Sequence, residues 1–73
     1  MALSKSQRIT LQILAKNRTQ KMNYQEIAKQ TSEIRPMDIS NALRTLANKD
    51  FVYQFDMQGR TTITGDGMEA LMD

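Results

Sequence analysis

The residues with the most to offer chemically lie in the stretch RPMDISNALRTL, residues 35–46. Helical spacing from Pro36 puts Ile39, Ala42, Leu43 and Leu46 on one side. Met37, Ser40, Asn41 and Arg44 fall on the other, with Asn48 further along. That second side is polar but nearly uncharged, whereas a merely solvated helix face is more often rich in Lys and Glu. An amide, a hydroxyl and a guanidinium offer directed hydrogen bonds rather than proton transfer or covalent attack. The rest of the chain agrees. It contains no cysteine and no histidine, which excludes thiolate or imidazole metal sites, disulfides and Cys/His or Ser/His catalysis. The carboxylates are scattered and form no catalytic dyad, so the chain reads as a non-enzyme with no cofactor and no metal.

The sequence has 73 residues, and a single domain over 1–73 is the sensible division. No apolar run approaches the ~20 residues that span a bilayer, and the start, MALSKSQR, lacks the apolar core of a signal peptide. The expectation is a cytoplasmic protein with no membrane partner. The net charge of +2 is unevenly spread. Residues 1–44 hold eight basic side chains against three acidic ones, and residues 45–73 hold two against five. A basic first part points to a polyanion, although chance asymmetry is common in small domains.

The elements that must position the polar face can be read in order. Ser4 and Gln7 have capping-box spacing, predicting a first helix to about residue 17 that buries Ile9, Leu11, Ile13 and Leu14. Residues 18–22 read as a polar connection. Asn23 and Glu26 repeat the capping box, with Met22 and Ile27 placed as a hydrophobic staple, for a second helix ending near residue 31 or 32. Residues 32–35 then form a turn of helix-turn-helix length. Pro36 at the first helical position and Asp38 in the first turn start a third helix, ending near Asn48. Phe51, Tyr53 and Phe55 alternate with Val52, Gln54 and Asp56, a strand pattern whose aromatic side reads as sheet packing rather than a base-stacking platform, with Tyr53 and Phe55 partly exposed. Residues 57–60 make a turn with Gly59 at the permissive position, and the β-branched residues 61–64 return. Thr64 caps a last short helix over 65–72, with Met68, Leu71 and Met72 apolar. These three would close the domain's own core or pair two subunits. A hairpin alone is not stable, so it must pack on the helices.

This order resembles a winged helix-turn-helix domain of the kind found in MarR-like and ArsR-like bacterial regulators. LSKSQRITLQIL resembles the first helix, YQEIAKQ the positioning helix, DISNALRTLANKDFVYQ the recognition helix running into the first wing strand, and ITGDGMEAL the end of the wing and the final helix. Residues 3–72 are covered. Three departures stand out: TSEIRP lacks the glycine often found in that turn and is one residue longer than the shortest versions, the recognition helix is less basic than many, and Asp50 stands where the family usually has glycine. Asp tolerates the left-handed backbone that this position tends to need.

The resemblance implies a mainly α fold with a small β-hairpin: a three-helix core, a two-stranded wing and a short C-terminal helix. It also implies sequence-specific binding of double-stranded DNA by a small stand-alone bacterial or phage regulator of transcription, with helix 36–48 in the major groove. Asn41 would pair with adenine, and Arg44 with guanine or, failing that, a phosphate. Ser40 would take either role, and Met37 would touch a thymine methyl or sit at the core edge. Asp38 would serve the helix dipole or hold Arg35 or Arg44. Lys5, Ser6, Arg35, Tyr24 and the first amides of helices two and three are the candidate phosphate contacts, Tyr24 being equally readable as a partly buried core residue. The wing tip, Gln58, Gly59 and Arg60, would reach the backbone or a minor groove, and Arg60 is its only cation. A homodimer through the first and last helices would suit a symmetric site. The alternative is an adaptor that binds a protein through the same face, for which Met37 is the exposed apolar residue.

Overall fold

The computed structural model describes residues 3–72. Helix α1 spans Lys5–Lys16, with Ser4 as N-cap. The capping box is reciprocal: the Gln7 N–H donates to Ser4 Oγ at 3.2 Å and the Ser4 N–H donates to Gln7 Oε1 at 3.1 Å. Its inner face buries Thr10, Leu11, Ile13 and Leu14, while Ile9 is only half-buried. Asn17 closes the helix by donating its side-chain amide to the Ile13 carbonyl at 2.7 Å and to Gln30 Oε1 at 3.1 Å, which ties the end of α1 to the segment after α2.

Helix α2, Tyr24–Ala28, begins as expected. Asn23 and Glu26 cap each other at 2.9 and 3.0 Å, and Met22 and Ile27 are both buried in the core. It ends earlier than residue 31. The amides of Gln30 and Thr31 bond back to the carbonyls of Ile27 and Ala28, three residues away, and Thr31 Oγ1 accepts from the Glu33 N–H. This tightened exit consumes the final turn. The connection to the next helix is therefore residues 29–35, longer than the 32–35 expected.

Helix α3, Pro36–Asn48, has the expected bounds and buries Ile39, Ala42, Leu43 and Leu46. It packs on α1 and α2. Its exit needs a left-handed residue, and Asp50 supplies it at φ 61°. Helix α4, Gly65–Leu71, starts at Thr64, whose Oγ1 accepts from the Gly67 N–H at 3.0 Å and donates to the Asp50 carbonyl at 2.7 Å. Met68 and Leu71 pack on the common core and α4 lies against α1, whereas Met72 stays exposed.

The wing departs from a regular two-stranded ribbon. Val52 and Ile63 form one antiparallel bridge, supported by the Tyr53 N–H to the Thr62 carbonyl at 3.1 Å and the Thr64 N–H to the Phe51 carbonyl at 3.0 Å. Thr61 pairs instead with Met22, each N–H donating to the other's carbonyl at 3.0 Å. The expected polar connection thus ends in an edge segment of the sheet. Past the Val52–Ile63 bridge the chain turns to solvent, and Tyr53 is 59% exposed and Phe55 40%, as expected of residues partly exposed on a short hairpin. Of the aromatic trio only Phe51 packs against the core, so sheet packing does not account for the other two. Gly59 has φ +75°, as the turn requires.

Candidate nucleic-acid interface

The outward face of α3 presents Met37, 73% exposed, together with Asn41, Arg44 and Asn48. Ser40 is half-buried. Two concavities flank the helix and divide the candidates. On the wing side a cavity of about 300 Å³ is lined by Tyr24, Ser40, Leu43, Arg44, Phe55 and Gly59. On the other side one of about 180 Å³ is bordered by Ser4, Ser6, Asp38, Asn41 and Thr45 among others. Ser40, Arg44, Tyr24 and Gly59 are therefore brought together, and so are Asn41 and Ser6. Lys5 is exposed beside Ser6 in the first turn of α1.

The cations differ in their freedom. Arg35 stands 3.7 Å from Asp38 through Nε, and its backbone N–H donates to the same carboxylate at 3.4 Å. Asp38 thus holds Arg35 rather than Arg44. Both side chains are exposed, so this pair adds little stability. Arg60 leaves the wing tip and approaches Glu26 on α2, Nε to Oε1 at 3.3 Å. The same Nε is sealed from solvent and makes no aligned hydrogen bond, so the attraction there is one of charge rather than of direction. Among the described residues, Arg44 and Lys5 have no ion-pair partner.

The tip is organised by Asp56. Its Oδ1 accepts from the amides of Gln58 and Arg60, both at 2.9 Å, while the Gly59 N–H donates to its carbonyl at 3.0 Å. The Arg60 amide holds the carboxyl below its ordinary value of 3.8, partial desolvation opposes this, and the Gln58 amide and the charges of Lys21 and Arg60 add to the lowering. The Gln58 amide is therefore occupied within the turn. Phe55, expected to be partly exposed, lies in the wing-side cavity, and the fold adds two residues that the sequence reading did not single out: Met57, fully exposed at the tip, and Lys21, close enough to act on Asp56.

No family model matches the chain, and no curated protein does. Solved structures do. A mutant of S. aureus MepR bound to an oligodeoxyribonucleotide superposes with a TM-score of 0.78 at 24% identity, over 96% of this chain and 54% of that one. Bacillus subtilis PadR superposes with a TM-score of 0.66 at 20% identity, over 100% of this chain and 44% of that one. The chain spans about half the length of the proteins it matches. With a core of α1 to α3, a turn leading into α3, a reduced wing beside it and α4 following, the described residues have the winged helix-turn-helix fold.

Proposed function

We propose that this protein binds double-stranded DNA with sequence specificity and regulates transcription from the cytoplasm. The observation that carries the reading is the outward face of α3, polar, nearly uncharged and exposed, set beside the wing. A major groove admits a helix and shows each base pair as a pattern of donors and acceptors, so amide and hydroxyl groups serve there better than bare charge. Met37, Ser40 and Asn41 are the side chains that would meet it, with Arg44 reaching a guanine or a phosphate. Lys5, Ser6, Tyr24 and Arg35 surround this face and would meet phosphates, with the wing tip at Gln58, Gly59 and Arg60 on the backbone or in a minor groove. Support comes from the MepR likeness, since that protein was solved with an oligodeoxyribonucleotide in place. A symmetric site would require two copies of the chain, for which α1 and α4 are the candidate surfaces.

A second reading, an adaptor that binds protein, draws on the exposed Met37, Tyr53 and Met57. Titration of mixed-sequence duplex DNA across a salt series separates the two. Binding that weakens steeply with salt and is reduced by Asn41→Ala supports the DNA reading. A folded protein that fails to bind at low salt refutes it and favours the adaptor.

A further inference from the structure

We infer that Arg44 is a backbone clamp rather than a base reader. It would grip, with Tyr24 and Phe55, the single sugar–phosphate strand that runs between the major groove holding α3 and the minor groove beside the wing. This rests on the DNA-binding reading above. The inference comes from where Arg44 lies. It lines the cavity on the wing side of α3, whereas Asn41 lines the concavity on the opposite flank, toward α1. When a helix occupies a major groove and a wing the adjacent minor groove, what lies between them is the strand separating those grooves, not base edges. The cavity's walls match such a strand. Leu43 and the rings of Tyr24 and Phe55 give apolar surface for a deoxyribose.

Arg44 is the one charged side chain lining the cavity. Among the described residues it has no ion-pair partner, so its guanidinium is available to a phosphate. The neighbouring cation, Arg60, is already drawn to Glu26 at 3.3 Å and does not line the cavity. The Tyr24 hydroxyl accepts from Gln25 Nε2 at 3.5 Å, which leaves its own O–H to donate. Base reading then falls to Asn41 and Met37, while Ser40, which lines the wing-side cavity with Arg44, faces the backbone strand.

The test compares two duplexes of equal length, one of alternating dA–dT and one of alternating dG–dC, by fluorescence anisotropy over a salt series. Wild type, Arg44→Ala, Arg44→Lys and Tyr24→Phe are measured, with circular dichroism confirming that each is folded. A clamp predicts that Arg44→Ala weakens both duplexes by the same factor, about tenfold, and lowers the salt slope by about 0.9. Arg44→Lys restores the slope, since the charge remains. Tyr24→Phe weakens both duplexes equally, by a smaller factor. A guanine reader would instead lose roughly 5-fold or more additional affinity on the dG–dC duplex, and that result overturns the inference while leaving DNA binding intact. An Arg44→Ala variant that binds both duplexes like wild type overturns it as well. If wild type binds neither duplex, the DNA reading itself fails and the clamp with it.

Discussion

Gly67 is the position at which the fold tolerates least. It is buried in the first turns of α4, and a methyl group there would sit 2.7 Å from Ile63 Cγ1 and well inside van der Waals contact of the Phe51 carbonyl oxygen. That carbonyl is not idle: it accepts from the Thr64 N–H at 3.0 Å, the bond that joins the exit of α3 to the returning wing strand. In Gly67→Ala the methyl must therefore push backbone, not a flexible side-chain end. Overpacking of this kind costs about 1–3 kcal/mol. Disturbing the Thr64 bond adds about 1 kcal/mol, and better helix propensity returns about 1 kcal/mol. The net loss is about 2 kcal/mol.

For a domain of this size that is a fall in Tm of roughly 10 °C, read by thermal denaturation with circular dichroism. Gly65→Ala is the matched control. It lies two residues away in the same helix, and a Cβ there meets nothing within 4 Å. It is expected to leave Tm unchanged or to raise it slightly. A Gly67→Ala protein as stable as wild type would show that α4 does not approach the wing strands as described, and the reasoning would be refuted.

Other expectations follow from individual contacts. Thr10 is fully buried and its hydroxyl finds no hydrogen-bond partner, so Thr10→Val should stabilise the protein by about 1 kcal/mol in urea denaturation, and a loss would mean that the hydroxyl is satisfied in solution. Asp56 has a lowered pKa, so its support for the wing turn is complete above about 3.8 and is lost as pH falls through the lower folded value. The amide resonances of Gln58 and Arg60 should titrate with a midpoint below 3.8 and should stop titrating in Asp56→Asn; a midpoint at or above 3.8 would contradict the structure. Glu26→Gln should keep the helix cap, because Gln serves equally at that position, and change stability by less than about 0.5 kcal/mol. On the DNA-binding reading it should also free Arg60, strengthen binding of duplex DNA and steepen its salt dependence; unchanged binding would mean that Arg60 plays no part.

Much of the fold is legible in the chain because its capping chemistry is local. Ser4 with Gln7, Asn23 with Glu26, Pro36, and Thr64 each mark a helix start within a few residues, and each start lies where those residues put it. The apolar side of α3 is equally plain, since Ile39, Ala42, Leu43 and Leu46 obey one period. What the sequence hides is set at long range. The pairing of Met22 with Thr61 joins residues 39 positions apart. The early end of α2 depends on an alternative set of hydrogen bonds that propensity does not reveal. The partial exposure of Tyr53 and Phe55 is legible on a short hairpin, but the packing of Phe51, on the same side of the alternation, against the core is not. The polar face of α3 was legible as a face. Its division between two flanking cavities was not, because the cavities are formed by α1 and by the wing.

The distribution of paired and unpaired cations has a consequence for how the protein would hold DNA. Affinity for any duplex comes largely from phosphate neutralisation, and each neutralised phosphate adds about 0.9 to the salt slope. Around the outward face of α3 and the wing, Asp38 already partners Arg35 and Glu26 partners Arg60, while among the described residues Arg44, Lys5 and Lys21 have no ion-pair partner. Three free cations give a slope of roughly −2.7 per chain, shallow for a DNA-binding protein. Little of the binding energy would then be independent of sequence, and discrimination would rest on the hydrogen-bonding side chains of α3. A single chain would bind weakly, and occupancy of a site would rise with a second copy on the same duplex. Measured on mixed-sequence DNA, a slope of about −4.5 or steeper per chain would show instead that the ion pairs open on binding and that Arg35 and Arg60 join the phosphate contacts.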